Sequence, residues 1–89
     1  MSNKTEQITE LLSQTGSAHH TAFLDVDGHD PDWPSWYAEY LQDRLPPLLG
    51  IEFTTSDLTN LMIELDRSYR VEKPNTPWQS YYAQRMMEL

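Results

Sequence analysis

The chain has 89 residues, with 14 acidic side chains against 6 basic ones, a formal net charge of −8 and no cysteine. That length means one domain, which buries roughly 60–65% of the surface its unfolded chain exposes, so the stability margin is thin and a partner subunit would help. The charge repels phosphate backbones and anionic membranes, which sets nucleic-acid and membrane binding aside, and the missing cysteines exclude disulfide and thiolate chemistry. The opening MSNKTEQITELL has no apolar core of signal-peptide length, and no apolar run approaches the ~20 residues of a membrane helix. A cytoplasmic protein is expected.

In the first segment, Ile8, Leu11, Leu12 and Thr15 recur at helical spacing, and Asn3 with Glu6 fits a capping box. Gly16 looks like a helix end, but Ala18, His19, Ala22 and Phe23 continue the same stripe. The helix is therefore expected to run through Gly16 to about Phe23, at a glycine cost of about 1 kcal/mol. An acidic stretch follows, with Gly28 suited to a positive φ in a turn. The second helix opens at Asp30-Pro31-Asp32 and sets Trp33, Tyr37 and Leu41 on one face. Pro46-Pro47 is expected to stop it, leaving LPPLLGIEF as a linker. Thr54 and Asp57 then cap a third helix, with Phe53 against Leu58 as a staple and Leu58, Leu61, Met62, Leu65 and Tyr69 as its buried stripe. Asn75-Thr76-Pro77 opens a fourth, with Trp78, Tyr82 and Met86 on one face.

The chain also repeats itself. WPSWYAEYL at 33–41 matches WQSYYAQRM at 78–86, and TEQITELL at 5–12 matches TSDLTNLM at 55–62. The repeat, roughly 4–45 and 54–89, sets Gly16 opposite Asp66 and His19 opposite Tyr69, and it makes residues 24–30 an insertion in the first copy. The expected fold is all-α: a single helical domain over 1–89, four helices as two repeated helical hairpins, antiparallel and bundle-like. Trp33 and Trp78 should occupy equivalent places, each packed on the first helix of its own hairpin.

FLDVDG, residues 23–28, resembles the nucleophile motif of the haloacid dehalogenase-like phosphatases. That chemistry needs Asp25 at the end of a buried parallel strand, Asp27 as acid/base and Mg²⁺ between them. This chain has neither the length nor the β-α alternation for the required sheet. The resemblance covers six residues, position 29 is His where the family has Thr or Val, and nothing carries over. An EF-hand fits no better, because with Asp25 at loop position 1 the glycine position holds Asp30 and the final glutamate position holds Trp36. His19, His20, Asp25, Asp27 and His29 are weak metal candidates. His19 and His20 point about 100° apart on a helix, and there is no H-x-x-x-H or E-x-x-H spacing.

The aromatic residues say more. Trp33, Tyr37, Trp78 and Tyr82 read as structural core, while Trp36, Tyr40 and Tyr81 are the expected surplus that marks a protein interface or a ligand cleft. The run H-H-x-x-F…D-G-x-D-P-x-W-P-x-W-Y-A-x-Y-L with the later P-W-x-x-Y-Y-A-x-R resembles small bacterial helical proteins that carry a W-P-x-W-Y-A-x-Y-L helix. The resemblance implies a bacterial, cytosolic origin and brings no activity, cofactor or catalytic residue with it. The sequence thus favours a non-enzymatic, acidic protein-interaction module without cofactor, a homodimer or the partner of another protein. The alternative is a small metal-dependent or ligand-binding protein using the His/Asp cluster of residues 19–30.

Overall fold

In the computed structural model, which describes residues 3–26 and 30–89, the Asn3 side chain accepts the Glu6 amide at 2.8 Å and starts helix α1 (Lys4–Ala22). The helix passes through Gly16 and ends at Phe23, whose amide bonds the His19 and His20 carbonyls. Gly16 lies beneath aromatic rings: a Cβ there would stand 3.4 Å from the Trp78 indole and 3.5 Å from the Tyr37 hydroxyl. Those are ordinary contacts. Gly16→Ala is therefore expected to raise stability by about 0.5–1 kcal/mol through helix propensity. Urea denaturation checks this, and a loss of stability would show that the rings cannot accept a methyl group.

A single 3-10 turn, Leu24–Val26, leaves α1, and helix α2 (Trp33–Leu41) follows with Pro34 in its first turn. The Asp32 side chain caps nothing; the Asp30 carboxylate accepts the Asp32 amide at 3.0 Å instead. Pro46 and Pro47 were expected only to stop a helix. They also start one, the single-turn α3 (Pro46–Leu49), because proline lacks an amide that the first turn would leave unpaired. Gly50 closes that turn at φ 68°, a left-handed conformation that favours glycine. The described residues therefore form five α-helices, not four. Thr54 and Asp57 form the full capping box of helix α4 (Thr55–Glu72), which ends at Lys73 in the left-handed region. Helix α5 (Trp78–Met86) begins after Pro77, with no side-chain cap.

The two halves share an order of one long and one short helix: 19 then 9 residues, and 18 then 9. Their packing differs from the hairpin expectation. Helix α2 lies chiefly on α4, and α5 lies chiefly on α1, so each short helix packs across onto the other half's long helix. The exchange buries Ile8 and Leu12 of α1, Leu58 and Met62 of α4, Leu41 of α2 and Met86 of α5 in one core. Ala38 and Ala83, both fully buried, keep the short helices thin enough to approach closely. Thr15 shares this core because its hydroxyl donates to the Leu11 carbonyl at 2.7 Å. Leu45 is fully buried, and Leu48 and Leu49 pack on the core, so the linker contributes to the interior. No strand occurs among the described residues.

Candidate functional site

Every Trp and Tyr of the chain joins Phe23 and His19 in one chain of ring contacts, with centroid separations from 4.8 Å to 6.5 Å. Equivalent positions have similar geometry. Trp33 meets Tyr37 at 5.3 Å and 80°, and Trp78 meets Tyr82 at 5.1 Å and 70°. His19 meets Trp36 at 5.1 Å, and Tyr69 meets Tyr81 at 5.3 Å. Tyr37 and Trp78, 6.1 Å apart, join the two sets.

The exchanged packing leaves a groove on each side of that junction. One is a cleft of about 360 Å³ between α2, α4 and α5, walled by Trp33, Tyr37, Tyr69, Trp78 and Tyr82 with Asp66 and Arg70. The other lies along α1, where Gly16, Ser17 and His20 face Tyr37 and Trp78. Asp66 and Arg70 stand fifty residues after Gly16 and His20, so the matching places of the repeat carry a carboxylate and a guanidinium in one groove and neither in the other. In the first cleft the Arg70 Nε lies 3.1 Å from an Asp66 carboxylate oxygen. Burial raises the Tyr37 phenol pKa above its ordinary value of about 10, and burial together with the Asp66 charge raises that of Tyr82 further. Both phenols stay neutral across the physiological range. What they add to stability is therefore present below pH 10 and lost as pH climbs through their raised values.

The predicted core rings line this cleft: Tyr82 is buried, and Trp33, Tyr37 and Trp78 are half-buried against the core. Trp33 and Trp78 sit across from α4 and α1 respectively, not on their own hairpins, as the helix exchange requires. Of the expected surplus rings, Trp36 and Tyr40 are half-buried and stacked at 5.7 Å and 13°. The Arg44 guanidinium lies 4.0 Å from the Tyr40 ring centroid. Tyr81 is not surplus. It is buried, because its ring packs on Tyr69 and its hydroxyl reaches the Glu72 carboxylate, which holds its pKa above the ordinary phenol value.

The described His/Asp candidates, His19, His20 and Asp25, do not come together as a metal site. His19 is buried, ringed by Phe23, Trp36 and Tyr37, and its Nε2 lies 3.1 Å from a carboxylate oxygen of Asp30. His20 is exposed beside the second groove, and Asp25 is exposed on the 3-10 turn where a phosphatase nucleophile would end a strand. Asp27, Gly28 and His29 lie outside the described residues. Among the described residues no three His, Cys, Asp or Glu side chains are grouped to hold a metal ion. Tyr69 makes the bond that corresponds to His19–Asp30: its hydroxyl donates to the Thr76 carbonyl at 2.8 Å. At matching places of the repeat, one side chain of the long helix thus secures the approach to the next short helix.

Sequence reasoning passed over Asp66, Arg70 and Tyr69 as cleft residues. The signal was present in the repeat, which paired Asp66 with Gly16, and in the i, i+4 spacing of Asp66 and Arg70. Fold and ring surface together define an all-α protein with a partly open aromatic surface and, among the described residues, no helix long and apolar enough to cross a membrane. No protein-family model, curated protein or solved structure matches the chain.

Proposed function

We propose that the protein works by binding, without catalysis or a cofactor, and that the face built on Trp36 receives a basic protein partner. The observation that carries this reading is the placement of Trp36. Trp33 and Trp78 pack against the buried core, whereas Trp36 leans on other rings: His19, Phe23, Tyr37 and Tyr40. Next to Phe23 the exposed Leu24 and Val26 extend the apolar surface. Half-buried tryptophan with neighbouring apolar side chains is the composition of an interface centre. The rim supplies the charge. Arg44 covers Tyr40 at one end, but no Lys or Arg stands between Lys4 and Arg44 in the sequence, and Asp25, Asp32, Glu39 and Asp43 are exposed around this segment. Acidic surroundings attract a basic partner and disfavour a second copy that brings its own charge of −8.

The experiment places a photo-crosslinking amino acid at position 36 and, as a control, at the exposed Val71. Adducts with a basic protein, specific to position 36 and weakened by added salt, are the expected result. Adducts with a second copy would replace the partner by a homodimer. Adducts identical from both positions, or none from 36, would remove the Trp36 face as a docking surface. Native mass spectrometry with and without chelator completes the test, since a stoichiometric metal lost on chelation would return the reading to the His/Asp cluster.

A further inference from the structure

The cleft between α2, α4 and α5 has a construction that points to a ligand of its own. We infer that it binds an alkylammonium cation, with Trp33, Tyr37, Tyr69, Trp78 and Tyr82 as walls and Asp66 as counter-charge. This concerns a cleft that Trp36 does not line, and it stands whether or not the protein-binding reading holds.

The walls argue for the shape of the ligand. Trp33 stands at 80° to Tyr37, Trp78 at 70° to Tyr82, and Tyr69 at 77° to Tyr82. A flat aromatic ligand needs two parallel walls to enter between them. Rings set nearly perpendicular to one another offer no such slot, which favours a compact, rounded group. Their electronic character argues for its charge. Aromatic faces carry negative potential and attract cations, quaternary ammonium groups above all. The Asp66 carboxylate adds a formal negative charge in the lining, and the whole chain at −8 raises the local concentration of cations. Arg70 is the opposing group. Its side chain is 74% exposed and screened by solvent, whereas that of Asp66 is 28% exposed and is the less screened charge of the pair. The cleft, about 360 Å³, lies at the small end of ligand pockets and admits a trimethylammonium head together with the chain that carries it. The matching groove along α1 lacks the carboxylate and serves as an internal control.

The test titrates the protein with choline and with its neutral isostere 3,3-dimethylbutan-1-ol, following the three indole N–H signals by NMR. Choline is expected to shift Trp33 and Trp78 while Trp36 stays in place, and to bind about tenfold tighter than the isostere. Asp66→Asn should weaken choline several-fold and Arg70→Gln should strengthen it. Opposite signs from two paired neighbours, Asp66 half-buried and Arg70 exposed, are a result that a merely structural role cannot produce, and both variants should keep the wild-type circular dichroism. A short peptide bearing trimethyl-lysine separates the sources. Tighter binding than choline assigns the cation to a partner's side chain, and equal binding assigns it to a free small molecule. Equal affinity for choline and the isostere would reduce the cleft to an apolar dent. Absence of shifts up to the solubility limit, or shifts at Trp36 alone, would overturn the inference outright.

Discussion

Trp78→Ala is expected to lower the free energy of unfolding by about 3 kcal/mol, the low end for a buried Trp because the ring is half-exposed. Trp33→Ala should cost somewhat less. Both rings sit edge-on to a tyrosine one turn later, but Trp78 also lies on Gly16 of α1 and beside Tyr37 of α2. It therefore touches both halves, and its removal bares Gly16, which has no side chain to fill the space. Losses of this size are a large share of what a small domain possesses. Equilibrium urea denaturation measures them, with Trp36→Ala as the comparison. The Trp36 ring packs outside the core and should cost about 1 kcal/mol or less. If Trp78→Ala fell in the range of Trp36→Ala, the junction between the two halves would not depend on that ring.

The reach of the sequence is clearest residue by residue. Asn3, Thr54 and Asp57 were legible as caps because capping is local: the acceptor, the amide and the spacing all lie within four residues. Gly16 was legible as a mid-helix residue through the stripe that continues past it and through the repeat, since by itself it reads as a stop. Pro46-Pro47 was half legible, because a proline pair that ends one helix satisfies the first turn of the next equally well. The exchange of short helices was not legible at all. Periodicity says that α2 and α5 each carry an apolar face, but the stripes of α1 and α4 that could receive them are alike, so the pattern does not say which meets which. The same limit hid the cleft. Trp33, Tyr69 and Asp66 come together only because α2 crosses onto α4. Tyr81 was misplaced for a related reason: its burial depends on Glu72 and Tyr69, on the preceding helix.

The His19–Asp30 pair yields the other large expected effect. His19→Ala should destabilise the protein by about 3 kcal/mol, from two causes that act together. The first is electrostatic. The two side chains are 10% and 9% exposed, so without the imidazole one Asp30 oxygen loses its partner in a nearly dry place, while the other keeps the Asp32 amide. The second is steric, since the imidazole fills the space between Phe23, Trp36 and Tyr37. Substitutions divide the two. His19→Phe refills the ring space but still strands the carboxylate, so it should recover only part of the loss. Adding Asp30→Asn to His19→Phe removes the stranded charge and should recover more, a coupling that a double-mutant cycle reads directly. Asp25→Asn, on the exposed 3-10 turn, should stay within about 0.5 kcal/mol. A loss from His19→Ala no larger than that from Asp25→Asn would mean that the pair holds nothing. The expected outcome instead separates two kinds of acid in one short stretch. Asp25 faces solvent, whereas Asp30 fixes the start of α2 to the end of α1, as the Tyr69 hydroxyl fixes the approach to α5 from α4. On that footing the stability of the Trp36 face depends on a carboxylate six residues upstream, and His19→Ala should loosen that face while leaving the α1–α5 contact in place.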